Sequence, residues 1–293
     1  MRIVCIGECM AELARTESGD YRRNFAGDTF NTAVYLSRTN PDAEVVYLSA
    51  VGDDAISTQM LADMQRQGLN TDYIQVRSDK TVGLYMIDTD DNGERSFTYW
   101  RQDAAARYLL EQKSPGELLQ ALDVDLIYLS GISLAILPEP DRDKLLAWLD
   151  QQSAPVAFDP NYRPRLWRDQ TAAQLACSHA AKLSTYLLTT LDDDLALWDV
   201  STMDEAMALW QSRSDAELVI KNGAEAIRLS YPEIVDVMPL KVESPLDTTG
   251  AGDAFNGVYL GARLMGTTPR DAARLASELC ARVVMCRGAI LPR

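Results

Sequence analysis

A chain of 293 residues with 47% hydrophobic and 24% charged content has the make-up of one large folded α/β domain, or of such a domain with a smaller attachment, and not of a disordered chain. Its 28 Lys and Arg against 43 Asp and Glu leave a net charge of −15, which makes nucleic acid and anionic membrane poor partners and makes the position of each arginine informative. The opening MRIVCIGE lacks a basic leader and no later stretch reaches membrane-spanning length, so a cytoplasmic protein is expected. Cys5, Cys9, Cys177, Cys280 and Cys286 are odd in number and show no CxxC pairing, which argues against a zinc site or a disulfide framework. His179, the single histidine, lies in AACSHAAKL away from any nucleophile motif, so Ser-His-Asp and Cys-His chemistry are weak readings.

Short β-branched runs alternate with helical patterns for most of the length. Ile3 to Ile6, Val45 to Ala50, Leu126 to Ser130, Val156 to Phe158, Tyr186 to Thr189 and Leu218 to Lys221 read as strands. Thr29 to Thr39, Ala55 to Gln67, Pro140 to Gln151, Ala172 to Leu183, Met203 to Ser212, Gly252 to Met265 and Arg270 to Arg287 read as helices. The alternation predicts a three-layer α/β/α fold around a mostly parallel sheet. Two regions break it, Met10 to Phe25 and Tyr73 to Trp100. Within the second, TVGLYMIDTDDNGERSFTYWR reads as two strands around the turn Asp91-Asn92-Gly93. Together they predict a small β lid, formed by about 10–25 and 73–101, over one end of the sheet; an edge hairpin or a dimer contact is the plainer alternative. With no internal repeat or linker, a single domain over 1–293 is expected.

Five segments offer chemistry. Phe25-Ala-Gly-Asp-Thr-Phe-Asn31 enters a helix, and Gly27, Asp28 and Asn31 suit sugar hydroxyls, although a capped helix start uses the same residues. Tyr85 and Tyr99 face each other across the expected turn beside Arg101, a side chain that grips carboxylates with two parallel bonds; cross-strand packing is the alternative. Asp159-Pro-Asn-Tyr-Arg-Pro-Arg165 follows a strand and, with Arg168, concentrates arginines in an acidic chain, its prolines stiffening the loop. Lys221-Asn-Gly223 also follows a strand, and either meets a nucleotide or turns the chain into a hairpin over Ala226 to Ser230.

The fifth, Asp247-Thr-Thr-Gly-Ala-Gly-Asp253, runs into a helix with Phe255, Val258, Ala262 and Met265 on one face. Unpaired N–H groups at such a start, at the positive end of the helix dipole, take a phosphate, and Asp253 beside it suits a proton acceptor; a capped helix is again the other reading. No GxxxxGK[ST] is present, and Gly7-Glu-Cys-Met-Ala-Glu12 stands where a GxGxxG would follow the first strand, so the 250–253 loop is the expected phosphate site.

Assembled, these segments resemble the ribokinase (PfkB-type) carbohydrate kinase family over nearly the whole length. Asp247 to Asp253 matches its DTxGAGD signature, and AGDTFN at 26–31 its N-terminal substrate segment, with Ala26 where many members have glycine. GECMAEL, AGDTFNTAVYLSR, GLYMI, GERSFTYWR, DPNYRPRLW and TTLDDD together resemble the branch acting on 2-keto-3-deoxygluconate. The resemblance implies a ribokinase-like fold and ATP-dependent phosphorylation of that sugar acid at its terminal hydroxyl, with Mg2+ and, in some relatives, K+. It implies Asp253 as general base and Gly250, Ala251 and Gly252 as the anion hole. Gly27, Asp28, Thr29, Phe30, Asn31, Tyr85, Tyr99, Trp100, Arg101 and Arg163 would hold the sugar acid. Asn161, Arg163, Thr190, Lys221, Asn222, Gly223, Ala224 and Ser277 would line the ATP. Asp247 and Thr249 match a monovalent-cation position.

Two departures stand out. The family's Asn-x-x-Glu, tied to magnesium, reads Leu191-Asp-Asp-Asp194, leaving Asp194 to replace the Glu, and Ala226 stands where a second glycine is frequent. The expected partners are the sugar acid, ATP and further copies of the chain through the lid, with neither nucleic acid nor membrane. The rival readings are a kinase for another sugar such as fructose or ribose, a catalytically silent sugar-binding member, and a nucleotide-dependent oxidoreductase that lacks its fingerprint.

Overall fold

The computed structural model describes residues 1–16, 18–89, 95–119 and 122–292. Its first part runs β1 (Arg2–Ile6), β2 (Met10–Arg15), β3 (Tyr21–Ala26), α1 (Asp28–Thr39), β4 (Glu44–Leu48), β5 (Ala50–Gly52), α2 (Ala55–Arg66), β6 (Leu69–Asn70), β7 (Gln75–Arg77), β8 (Leu84–Thr89) and β9 (Arg95–Trp100). The middle runs α3 (Pro115–Leu119), β10 (Leu126–Ser130), α4 (Gly131–Ile136), α5 (Glu139–Leu149), β11 (Val156–Asp159), α6 (Gln170–Lys182) and β12 (Tyr186–Thr190). The last part runs α7 (Leu191–Trp198), α8 (Met203–Gln211), β13 (Glu217–Lys221), β14 (Ile227–Leu229), β15 (Val235–Val237), α9 (Ala251–Leu264) and α10 (Pro269–Val283).

Successive side chains of a strand point to opposite faces, so a strand covered on both sides must be apolar throughout. β1 shows this: Ile3 and Cys5 join one buried cluster, while Val4 and Ile6 join another on the opposite face. The main sheet has the order β15-β14-β13-β12-β11-β10-β1-β4-β6, parallel from β13 to β6 and antiparallel at the β14 and β15 edge. The expected three-layer fold is present. Among the described residues no helix is long and apolar enough to cross a membrane.

A second sheet of four strands, β3-β2-β8-β9, stands apart, with its own small cluster of Met10, Ala26, Tyr85 and Ile87. Its hairpin register sets Tyr85 opposite Tyr99; the turn expected at Asp91-Asn92-Gly93 lies outside the described residues. The expected lid span from 73 needs a correction: Gln75–Arg77 pairs in parallel with Ala50–Gly52 and belongs to neither larger sheet. The expected strand Val45 to Ala50 is correspondingly divided, with Ser49 between β4 and β5. Leu191–Trp198 forms a helix that the pattern did not reveal, because eight residues are too few for a helical period to repeat.

One packing contact decides where the chemistry falls. α1 and α9 lie against each other so closely that a Cβ at Gly257 would sit 2.6 Å from Tyr35 Cβ and 2.7 Å from the Thr32 carbonyl oxygen. Glycine there lets the two helix starts approach, bringing Asn31 and Asp253 together from 222 residues apart.

Candidate active site

The carboxyl ends of parallel strands collect ligands in open α/β sheets, because the chain turns outward there and leaves a crevice. Here Glu8 just after β1, Asp159 at the end of β11, Thr190 at the end of β12 and Lys221 at the end of β13 open onto one cavity of about 1400 Å³. One small ligand commonly occupies roughly 300–1,000 Å³, so this cavity has room for two.

At its centre α9 begins at Gly250, whose φ of 72° is left-handed and whose Cβ, if present, would lie 2.4 Å from Ala289 Cβ. No side chain caps this helix, nor does one cap α1 or α7, which also begin at the cavity. Four helices that start elsewhere do have caps: Asp54, Asp169, Thr202 and Thr268 each accept from backbone N–H groups. The plain reading of 247–253 as a capped helix start is therefore not what forms. The N–H groups of Gly250, Gly252 and Asp253 have no acceptor among the described residues, whereas that of Ala251 donates to the Thr248 carbonyl at 3.2 Å. A side chain at Gly252 would meet only Lys221 Nζ, at 3.8 Å, so the space beside it is open cavity.

Asp253 accepts a hydrogen bond from Asn31 Nδ2 at 2.8 Å through Oδ2, while Oδ1 takes none from a described residue. Burial, with Asp28 and then Asp159 nearby, pushes its pKa up to about 7, opposed by Asn31 and Lys221. Such a carboxylate can accept a proton near neutral pH.

Behind it lies a buried polar network. Lys221 Nζ donates to Asp159 Oδ2 at 3.0 Å and to Asn256 Oδ1 at 2.8 Å, and Asn256 Nδ2 donates to Asp159 at 2.6 Å and to Tyr128 OH at 3.2 Å. Asn161 ties this group to α1: its backbone N–H donates to Asp159 Oδ1 at 3.0 Å and its Nδ2 to Asp28 Oδ2 at 2.9 Å. Each buried charge is thus paired, which fixes the ammonium beside the bare helix start.

Under the small sheet, Arg101 is 8% exposed and its Nη2 forms an ion pair with Glu8 Oε2, itself 2% exposed. Tyr85 and Tyr99 stack at 5.7 Å between ring centroids, and the Tyr85 hydroxyl donates to Glu12. Arg163, half-exposed, pairs with Asp193 at 3.0 Å and donates to the Tyr162 carbonyl at 2.8 Å. At the opposite end Pro239, Leu240, Val242, Ala281 and Val284 make an apolar wall, with Ser277 Oγ accepting from Leu240 N at 2.8 Å.

The cavity brings together Gly27, Asp28, Asn31, Tyr85, Tyr99, Arg101, Asn161, Arg163, Thr190, Lys221, Gly223, Ala224, Ser277 and the 250–253 loop. Other expected residues are turned away. Thr29 shares a 2.9 Å hydrogen bond with the Tyr47 hydroxyl and Phe30 packs edge-on to the Tyr47 ring, both fully buried in the core, because the helix turns Asn31 to the cavity and these two to the sheet. Trp100 pairs with Leu84 outside the cavity, on the alternate side of β9 from Tyr99 and Arg101. Asn222 does not reach the cavity wall; its carbonyl closes the turn to Glu225 N at 2.8 Å, and β13 and β14 form the alternative hairpin.

The magnesium expectation for Asp194 is also corrected. Asp194 is fully buried, with Thr189 Oγ1 on one oxygen and Trp210 Nε1 at 2.8 Å on the other. Asp192 and Asp193, two and one residues earlier, line the cavity instead and fit a hydrated divalent ion carried on phosphates. Among the described residues no three His, Cys, Asp or Glu side chains gather into a metal cage. Asp247 does not line the cavity: Oδ1 accepts from Thr249 N at 2.9 Å and Oδ2 from Gly288 N at 2.8 Å. Sequence reasoning passed over Glu8, Arg107 and Asn256, and named Asp159 only as the start of an arginine-bearing segment; the available signal for Glu8 was that it follows the carboxyl end of a strand.

The sequence profile of "pfkB family carbohydrate kinase" matches residues 1–293. A protein named 2-dehydro-3-deoxygluconokinase from Dickeya dadantii (strain 3937) is 44% identical over 99% of this chain and 96% of its own length. One of the same name from Escherichia coli (strain K12) is 39% identical over 100% of this chain and 97% of its own length. Among solved structures, the fructokinase of Vibrio cholerae O395 in fructose-, ADP- and calcium-bound form is 22% identical, with a TM-score of 0.84 over 98% of this chain and 94% of that one.

Proposed function

The chain belongs to the pfkB family of carbohydrate kinases, and from that premise we propose that it transfers the γ-phosphoryl group of ATP to the terminal hydroxyl of 2-keto-3-deoxy-D-gluconate, the 2-dehydro-3-deoxygluconate of its relatives' names. One observation carries the reading: Asp253, with the unbonded amides at its helix start, shares a cavity with the buried guanidinium of Arg101.

The sugar acid lies under the small sheet, its acid group toward Arg101 and Arg163 and its terminal hydroxyl toward Asp253. The nucleotide occupies the apolar end, with its phosphates at the 250–253 loop and Lys221. Asp253 takes the hydroxyl proton as the new oxygen–phosphorus bond forms and the bond from the γ-phosphorus to ADP breaks. Asn31 holds the Asp253 carboxylate in direction. The amides of Gly250, Gly252 and Asp253, rather than that of Ala251, take the charge developing on the phosphoryl oxygens. Asp192 and Asp193 would hold Mg2+ through its water shell, and the ion would supply charge that offsets that of the phosphates.

The small sheet acts as a lid that excludes water, and its exposed Tyr21, Phe97, Tyr99 and Trp100 offer the surface for a homo-oligomer, tested by sedimentation. A monovalent cation at Asp247 and Thr249 would draw its ligands from loop carbonyls, since both Asp247 oxygens already accept backbone amides; turnover in K+ against Na+ tests it. A cytoplasmic place of action, with no nucleic-acid or membrane partner, completes the reading and agrees with the net charge of −15.

The deciding experiment is ADP release from ATP with a panel of acceptors. The keto-deoxy acid should exceed fructose and ribose by about 100-fold or more in kcat/KM. Preference for a neutral sugar would overturn the substrate while leaving the kinase, and no ADP release with any acceptor would overturn the activity.

A further inference from the structure

Buried polar atoms without a hydrogen-bond partner are rare in folded proteins, since each costs about 1–3 kcal/mol. Among the described residues, three such atoms belong to side chains on the same cavity wall: Asn31 Oδ1, Arg101 Nε and Glu8 Oε1. Their convergence marks a place where ligand groups complete the bonding. Two of the three residues were expected there. Glu8 was not.

Glu8 follows β1, with Oε2 held by Arg101 and Oε1 unused. The chain makes room for this carboxylate, because a Cβ at Gly83 would lie 2.7 Å from Glu8 Oε1. The charges that face it are Arg101, Arg107 and Asp28, the arginines opposing the desolvation that raises its pKa. A carboxylate oxygen is an acceptor. Of the groups on a keto-deoxy sugar acid, the carboxylate and the keto oxygen only accept and the methylene does neither; the hydroxyls alone donate. The terminal hydroxyl is engaged at Asp253.

We propose that Glu8 is a substrate-binding residue whose Oε1 accepts a hydrogen bond from a secondary hydroxyl of the sugar acid, at C4 or C5, while its Oε2 holds Arg101 for the acid group. This rests on the sugar-acid kinase reading above.

The test is a cycle between protein and substrate. kcat/KM is measured for the wild type and Glu8→Ala with the full sugar acid and with its 4-deoxy and 5-deoxy analogues, ATP binding serving as the check of folding. Removing the hydroxyl that Glu8 binds should lower wild-type kcat/KM about 10- to 100-fold, yet change Glu8→Ala by less than about threefold. Equal losses in both proteins for both analogues would overturn the proposal, since a residue that only orients Arg101 leaves the hydroxyl's worth unchanged. If Glu8→Ala fails to bind ATP, Glu8→Leu, which fills more of the space and likewise has no acceptor, replaces it in the same cycle, and the same two outcomes decide. Wild-type inactivity on the full sugar acid would instead defeat the substrate reading and is seen before the cycle begins.

Discussion

Asp253 and Asp194 invite comparison because their local descriptions nearly coincide. Each lies in the first turn of a helix without a side-chain cap, α9 and α7, and burial pushes each carboxyl up to about 7. What separates them is where their oxygens go. Asp194 gives one to Thr189 and the other to Trp210, deep in the core, so its bonding is complete. Asp253 accepts from Asn31 with one oxygen and keeps the other for the cavity. A perturbed carboxyl is thus a mark of burial, and only an unused valence on an open space makes it a candidate for chemistry.

The strongest way to break this comparison is to neutralise each in turn. Asp253→Asn should lower turnover about 10²- to 10⁴-fold while ATP affinity stays near the wild-type value, measured by ADP release and calorimetry. Substantial retained turnover would remove Asp253 from the role of base. Arg101 meets the same criterion, buried with Nε unused, and Arg101→Ala should cost about 100-fold in kcat/KM on the sugar acid. The loss on a neutral sugar should be much smaller, and equal losses would count against carboxylate recognition.

Asp194→Ala should act on stability. It takes the acceptor from Trp210 Nε1 and the bond to the carboxylate from the Thr189 hydroxyl in the core, at about 3 kcal/mol in urea unfolding, with the folded fraction keeping near-normal kcat. A variant of wild-type stability that has lost activity would return Asp194 to the site. The smallest effect, and the sharpest, is in pH dependence. As pH falls below about 7, Asp253 gains its proton and kcat/KM should drop about tenfold per unit. The stability contribution has the opposite sign. Between the unfolded carboxyl range near pH 4 and the folded value near 7, the native state holds more protons than the unfolded chain, so stability declines as pH rises through that window. Asp194→Asn should flatten part of that decline without moving the acid limb of activity.

Much of the site was legible in the residues themselves. The parallel sheet follows from apolar runs such as LIYLS between helical patterns, and the glycine-rich start of α9 from its local composition. Tyr85 faces Tyr99 because a hairpin imposes its own register. Errors fell where a residue's direction mattered more than its position. In Asp28-Thr29-Phe30-Asn31 the helical period separates two faces, but which face meets the cavity depends on how α1 packs on α9. The same holds for Asp193 and Asp194, adjacent in the chain and opposite in surroundings.

Turns, helix starts and strand periods answer to forces among residues close in sequence, and the chain by itself determined those, along with the positions of Asp253 and Arg101, on which the proposed sugar-acid kinase reading rests. Contacts between distant segments decided the rest. Lys221 meets Asp159 across 62 residues and Asn256 meets it across 97, and Glu8 meets Arg101 across 93. Whether a buried polar atom ends up satisfied by such a partner or left open to a ligand depends on the packing of whole layers, and no local pattern carries that information.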